Sequence, residues 1–233
     1  MLKIREGSRL AGIGAIAFSV FTVLGVVMGS APGGNYSESD VANYVSISHL
    51  PTVIVTGYLA LLGVLGLICV FAYLREVIGA DPRHQLATNV FWGTGLVAAS
   101  SLAVAWGLVT GIAVAAAEAG SSNPGNTLAA PISHAETYAL SDTSLNVLYG
   151  SGGFMLGFAL IALMVASRGT LPSWLRWLTL VIGVLAIGAP AYLPAFAIPV
   201  WGVVIGVWLV AGGRASHPAA EAARRPEQLS SHP

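Results

Sequence analysis

Asp142, Asn146, Tyr149 and Gly153 recur at steps of four, three and four in a stretch that carries no charge between Asp142 and Arg168. On an α-helix that spacing places them along one face. A carboxylate, an amide and a phenol stepping into an apolar helix can hold the polar end of a ligand, and the carboxylate can serve as a general acid or base. Such a stripe seldom faces lipid, where an unsatisfied polar group is costly. It is expected to line a cavity or to join a network between helices.

The other residues able to do chemistry away from the basic clusters are Glu38, Asp40, His49, Glu118, His134 and Glu136, with Asn43 and Tyr44 close by. His49, Thr52 and Thr56 lie on one side near the start of a helix. The candidate ligand-binding set is therefore Asp142, Asn146, Tyr149, His49, Thr52, Thr56, Tyr44 and His134, and the candidate catalytic set is Asp142, His49 and Glu136. Two imidazoles and a carboxylate, from His49, His134 and Asp142 or Glu136, form a zinc or iron ligand set. No two of these sit at a recognised spacing, and His134 and Glu136 point apart on a helix, so no metal is assigned. Gly150-Ser151-Gly152-Gly153 resembles the Gly-Ser motif of the six-helix intramembrane rhomboid proteases. Those enzymes need a histidine on helix 6, and none is present here. A CxxC pair, an intrahelical lysine, paired haem histidines and a phosphate-cradling loop are also missing, so the sequence requires no cofactor. Asp142 is the one carboxylate placed to enter a bundle, which is thin support for a proton-coupled carrier.

These residues are positioned by a very apolar chain. Of 233 residues 55% are hydrophobic and 9% charged, against about 25% charged in soluble domains. All ten Lys and Arg fall in four places: Lys3, Arg5 and Arg9; Arg75 and Arg83; Arg168 and Arg176; and Arg214, Arg224 and Arg225. No basic patch is interleaved with aromatics, so nucleic acid is excluded as a partner. Apolar stretches predict helices over about 10–30, 51–74, 88–117, 141–167, 172–189 and 193–211, set against the ~20 residues that cross a bilayer; the third is longer than one span requires. The first run is longer than that of a signal peptide and Pro32 would follow the cut, so helix 1 is expected to remain. Ser37 to Asp40 fits a helix start, and Val41, Tyr44, Val45 and Ser48 follow as a short amphipathic helix on the membrane surface. Ser133 to Glu136 repeats the capping pattern, so helix 4 can begin near His134. Cys69 lies alone in an apolar run, as a packing residue. The tail at 212–233 is expected to be disordered.

Six helices place all four basic clusters on one side and no Lys or Arg on the other, so both termini are expected in the cytoplasm. The expectation is an all-α polytopic membrane protein with six spans, in a single domain over 1–211. Gly25–Gly29, Gly107–Gly111, Gly153–Gly157 and Gly202–Gly206 are GxxxG pairs suited to close helix contact within a bundle or to a homodimer. Leu171-Pro172-Ser173-Trp174-Leu175-Arg176-Trp177-Leu178, followed by an apolar helix, resembles an uncharacterised family of bacterial six-helix membrane proteins. That resemblance implies the bacterial inner membrane and brings no activity or site residues with it. The leading functional expectation is an outward polar pocket between helices 2 and 4 that binds a small lipophilic molecule, as a sensor, carrier or accessory subunit. A membrane enzyme acting on a lipid or isoprenoid through Asp142 is the rival. A structural subunit of a membrane complex is the third reading.

Overall fold

The computed structural model describes residues 2–29, 39, 44, 46, 48–79, 82–121, 134–191 and 196–212. These residues are 92% helical and contain no strand. Seven α-helices are described: α1 (Leu2–Met28), α2 (Leu50–Ile78), α3 (Gln85–Ser121), α4 (His134–Leu145), α5 (Phe154–Ala166), α6 (Ser173–Ile187) and α7 (Ala197–Val210). A π-helical segment, Asn146–Gly153, joins α4 to α5 without a break, so the two form one rod. Four helices are long and apolar enough to cross a membrane: Glu6–Met28, Leu50–Ile78, Pro82–Ala115 and Ala135–Ala166. The two C-terminal helices are apolar but short, 15 and 14 residues. At 1.5 Å per residue each is roughly 20 Å long, against about 30 Å of bilayer hydrocarbon.

Local chemistry accounts for the boundaries. Pro51 sits in the first turn of α2, where its missing N–H has no partner to lose. Gly169, with φ +82, lets the chain turn between α5 and α6. Gly188 ends α6, and a 3-10 turn at Ala189–Ala191 follows. The surface helix expected from Ser37 lies largely outside the described residues, as do the 122–133 loop and the tail beyond Gly212.

The helices close on one another in a ring. α1 packs on α2 and α7, α2 on α3, α3 on α4 and α5, α5 on α6, and α6 more lightly on α7. Glycines set the tightest crossings. A Cβ added to Gly12 would lie 2.7 Å from the carbonyl oxygen of Gly206, and one on Gly14 would lie 2.7 Å from that of Gly66. The same holds for Gly157 against the Gly183 carbonyl, at 2.7 Å. Backbones meet at these three points because no side chain holds them apart, and close contact is a main source of helix association in lipid. Gly25 faces the Trp106 ring and Gly153 the Ala189 side chain, whereas Gly107 and Gly111 meet nothing within 4 Å.

The buried core holds Phe18, Phe71, Phe91, Leu156, Leu160 and Trp201. Phe71 and Phe91 meet edge to face at 5.2 Å, joining α2 to α3. Near the basic clusters, the Arg75 guanidinium lies 4.9 Å above the Trp92 ring, and Arg176 Nε donates to the Met164 carbonyl. The outer faces are as apolar as the core. Leu10, Tyr58, Leu62, Leu65, Val104, Trp174, Trp177 and Val184 are all exposed.

Candidate functional site

The stripe that begins at Asp142 divides at the π segment. Asp142 is half-buried and Asn146 exposed. The Asn146 amide donates to the Asp142 carbonyl oxygen at 2.9 Å and to its carboxylate oxygen at 3.2 Å, an i, i+4 pair that serves itself. From Asn146 onward the hydrogen bonding is i→i+5, and each turn holds more residues than an α turn. Residues three or four apart therefore fall short of a full rotation. Tyr149 and Gly153 are carried off the Asp142–Asn146 face; Tyr149 becomes half-buried, and Gly153 is buried against Ala189. The buried face of α4 is a different one, Thr137, Ser141 and Ser144, all nearly inaccessible. It packs toward α3.

The second group sits elsewhere. His49 caps α2 with its backbone, makes no side-chain cap bond and is half-buried. Thr52 is half-buried; Thr56 is buried, and its hydroxyl donates to the Thr52 carbonyl at 2.7 Å while it packs against Gly29, just past the end of α1. Tyr44 is buried and donates to the Val109 carbonyl of α3 at 2.7 Å. Burial pushes the Tyr44 phenol well above its usual ionisation range. Glu136 is exposed in the first turn of α4. His134 opens α4, and its side chain lies outside the described residues, as do Glu38, Asp40, Asn43 and the Glu118 side chain.

α2 and α4 both pack on α3. The structure thus pairs Asp142 with Asn146 and Thr52 with Thr56, and it leaves the two groups on separate helix pairs. Among the described residues, no group of three or more His, Cys, Asp or Glu could hold a metal ion.

A cleft lies between α1, α3, the π segment and the start of α7. Phe18, Thr22, Val23, Val26 and Val27 of α1, Leu102 of α3, Leu148, Tyr149 and Gly153 of the π segment, Leu156 of α5, and Phe196, Ile198 and Pro199 at the start of α7 line a narrow, partly open cleft of about 50 Å³. Its origin is local. α6 ends at Ile187 and α7 begins at Ala197, so the C-terminal pair is shorter than the rods beside it. The first turn of α7 closes only part of the space between α1, α3 and the π segment. The Ser151 and Ser101 hydroxyls meet at 2.9 Å and tie the π segment to α3. The lining is almost wholly apolar. Thr22 and Tyr149 are the lining residues with polar side-chain groups, and the Thr22 hydroxyl oxygen is buried, with no hydrogen-bond partner among the described residues.

Of the residues singled out in the sequence, Tyr149 and Gly153 reach this cleft. Thr22 gave no sequence signal, because a threonine within a membrane helix ordinarily bonds back to its own backbone. The π segment gave a faint one: three glycines in Gly150-Ser151-Gly152-Gly153 weaken the α-helix locally. No protein-family model, curated protein or solved structure matches this chain. The resemblance carried by Leu171–Leu178 therefore assigns no family.

Proposed function

We propose that the chain is an integral membrane protein of the cytoplasmic membrane with six spans and both termini cytosolic, and that the cleft between α1, α3, the π segment and α7 binds a lipophilic molecule. The observation that supports the binding role most directly is the cleft itself, with its apolar wall running from Phe18 to Val27 on α1 and from Leu148 to Leu156 opposite. Sites of this kind take ligands by burying apolar surface, with few polar groups to orient them. A break in α-helical hydrogen bonding at the cleft wall fits a functional position, since π segments are rare and are frequent at such sites. Membrane embedding is supported by the outer faces. Exposed Leu, Val and Trp side chains surround the bundle, a surface that water does not favour and lipid covers. The orientation rests on the one-sided distribution of Lys and Arg. A homodimer through Gly107 and Gly111 of α3 is the proposed use of the one GxxxG pair that faces no other helix.

The binding test uses 1-decylpyrene added to detergent-purified protein, read as energy transfer from the tryptophans. Saturable transfer in the wild type, abolished in Val23→Trp, whose new ring would drop into the cleft, is the expected result. Transfer that never saturates, or that Val23→Trp leaves unchanged, refutes the binding role. Orientation is tested separately, by labelling a cysteine placed at Asn123 in a Cys69→Ala background. A membrane-impermeant maleimide should react from outside intact cells.

A further inference from the structure

Resting on the reading that the bundle sits in a membrane with both termini cytosolic, we infer that the α6–α7 hairpin is a lipid-deforming surface: over its tip the outer leaflet dips by roughly 10 Å, so that headgroups and water reach residues 188–196. The cytosolic ends of the helices are level. The buried Ser8 hydroxyl of α1 donates to the carbonyl of Leu209, at the end of α7, at 2.9 Å. Arg176, near the start of α6, donates to the carbonyl of Met164, near the end of α5. Trp174 and Trp177 stand exposed on either side of Arg176, as interfacial anchors do. The outer ends are not level. A Cβ on Gly153 would lie 2.6 Å from that of Ala189 in the tip, and one on Gly152 would lie 2.8 Å from Leu102 of α3. The tip, the π segment and Leu102 therefore share one height. Beyond it the apolar span of α3 continues to Ala115 and that of the rod to Ala135, roughly 20 Å more of helix on each. Phe18 of α1 lies against Gly202 of α7; past that contact α7 has five residues left, Ala197–Trp201, and α1 has ten, Ser19–Met28. The hairpin falls short at its outer end alone.

The exposed groups decide how the membrane adjusts. Pro190 and Phe196 in the tip are exposed, so neighbouring helices do not cover it. A turn between two helices leaves the last carbonyls of the first and the first amides of the second without helical partners. Exposed to hydrocarbon, such groups are costly, and irregular backbone is tolerated at membrane depth only inside protein or beside water. Thinning the bilayer to meet a short helix costs little per ångström by comparison. Between the tip and the tryptophan anchors the outward side chains, Val181, Val184, Val200, Val203 and Val207, are apolar and keep lipid against the hairpin. The partner that fits this face is phospholipid whose chains cover about 20 Å of apolar height instead of about 30 Å.

The test reads water at one height on two sides of the bundle, in intact cells, with a membrane-impermeant maleimide and a Cys69→Ala background. Pro190→Cys and Phe196→Cys report the tip from its two ends, so misfolding of one leaves the other. Val104→Cys reports the exposed face of α3, two residues from Leu102, where full-length helices stand. Asn123→Cys reports the outer loop. Maleimide attacks the thiolate, which forms in water and not in hydrocarbon, so the tip cysteines should react about tenfold or more faster than the cysteine at 104. Reaction at 104 as fast as at the tip would put the ordinary membrane surface at that height and overturn the thinning. No reaction at either tip position would leave the tip in hydrocarbon and overturn it as well. Both results leave the membrane reading standing while the cysteine at 123 reacts from outside. Failure at 123 removes the orientation itself, and the inference with it.

Discussion

The indole N–H of Trp201 donates to the hydroxyl of Thr179 at 3.1 Å, and both residues are fully buried. Thr179 in turn donates to the Leu175 carbonyl, so the ring of α7 is fastened to the backbone of α6 through one hydroxyl. α6 and α7 share little other packing. Trp201→Phe removes the bond while keeping most of the ring, and is expected to lower stability by about 1–2 kcal/mol. Trp201→Ala leaves a cavity and should cost about 3–5 kcal/mol. Both are read from thermal unfolding in detergent. A Trp201→Phe protein as stable as the wild type would show that the bond does not hold the pair together.

Glycine substitutions should divide by what the glycine faces. Gly14→Ala and Gly66→Ala push a methyl group into the opposing carbonyl and should each destabilise by roughly 1–3 kcal/mol, as overpacking does. Gly107→Ala and Gly111→Ala meet nothing within the same chain and, measured on the monomer, should be neutral or stabilising by up to about 1 kcal/mol, through helix propensity alone. Denaturation in a titrated mixture of detergents measures the four together. Mass photometry of Gly107→Leu tests the proposed homodimer: loss of a dimer present in the wild type supports it, and an unchanged mass distribution contradicts it.

Tyr44 sets a pH limit outside the spanning helices. Its phenol is held protonated by burial, above the value it has in the unfolded chain. The folded state therefore binds that proton more tightly, and the associated stability is fully present below the ordinary phenol range and is lost as pH rises through and above about 10. Wild-type stability should fall in that range more steeply than that of Tyr44→Phe. At neutral pH Tyr44→Phe should cost about 1 kcal/mol, from the lost bond to Val109. Thermal unfolding at pH 7 and pH 10.5 makes the comparison.

Asp142→Asn should matter little. The residue is paired with Asn146 on an accessible face and does not line the cleft. A change in stability below about 0.5 kcal/mol and undiminished 1-decylpyrene binding are expected. Loss of binding would return Asp142 to the site.

The helical class was legible because an apolar run of 20 residues or more has few other uses, and the exposed Leu62, Val104 and Trp177 show the same fact from outside. The site was not legible, for a reason confined to eight residues. Grouping Asp142, Asn146, Tyr149 and Gly153 assumes 3.6 residues per turn throughout, and Asn146–Gly153 departs from that period. The residues kept on one buried face are instead Thr137, Ser141 and Ser144, whose steps of four and three obey the α period up to the start of the π segment. Helix adjacency does not follow from sequence either: α2 and α4 both pack on α3. Thr22 is a single hydroxyl in an apolar helix, and only its surroundings distinguish it from Ser19.

The central claim is that a chain of lipid character sits inside the bundle between α1 and the π segment. Photo-crosslinking in native membranes with 2-hexadecanone bearing a terminal diazirine, followed by peptide mapping, tests it directly. The account predicts labelling enriched at Phe18–Val27 and Leu148–Leu156 over the outward residues Leu62, Leu65 and Val104, and suppressed by Val23→Trp. Labelling spread evenly over the outward faces, with no enrichment on the cleft walls, would contradict it.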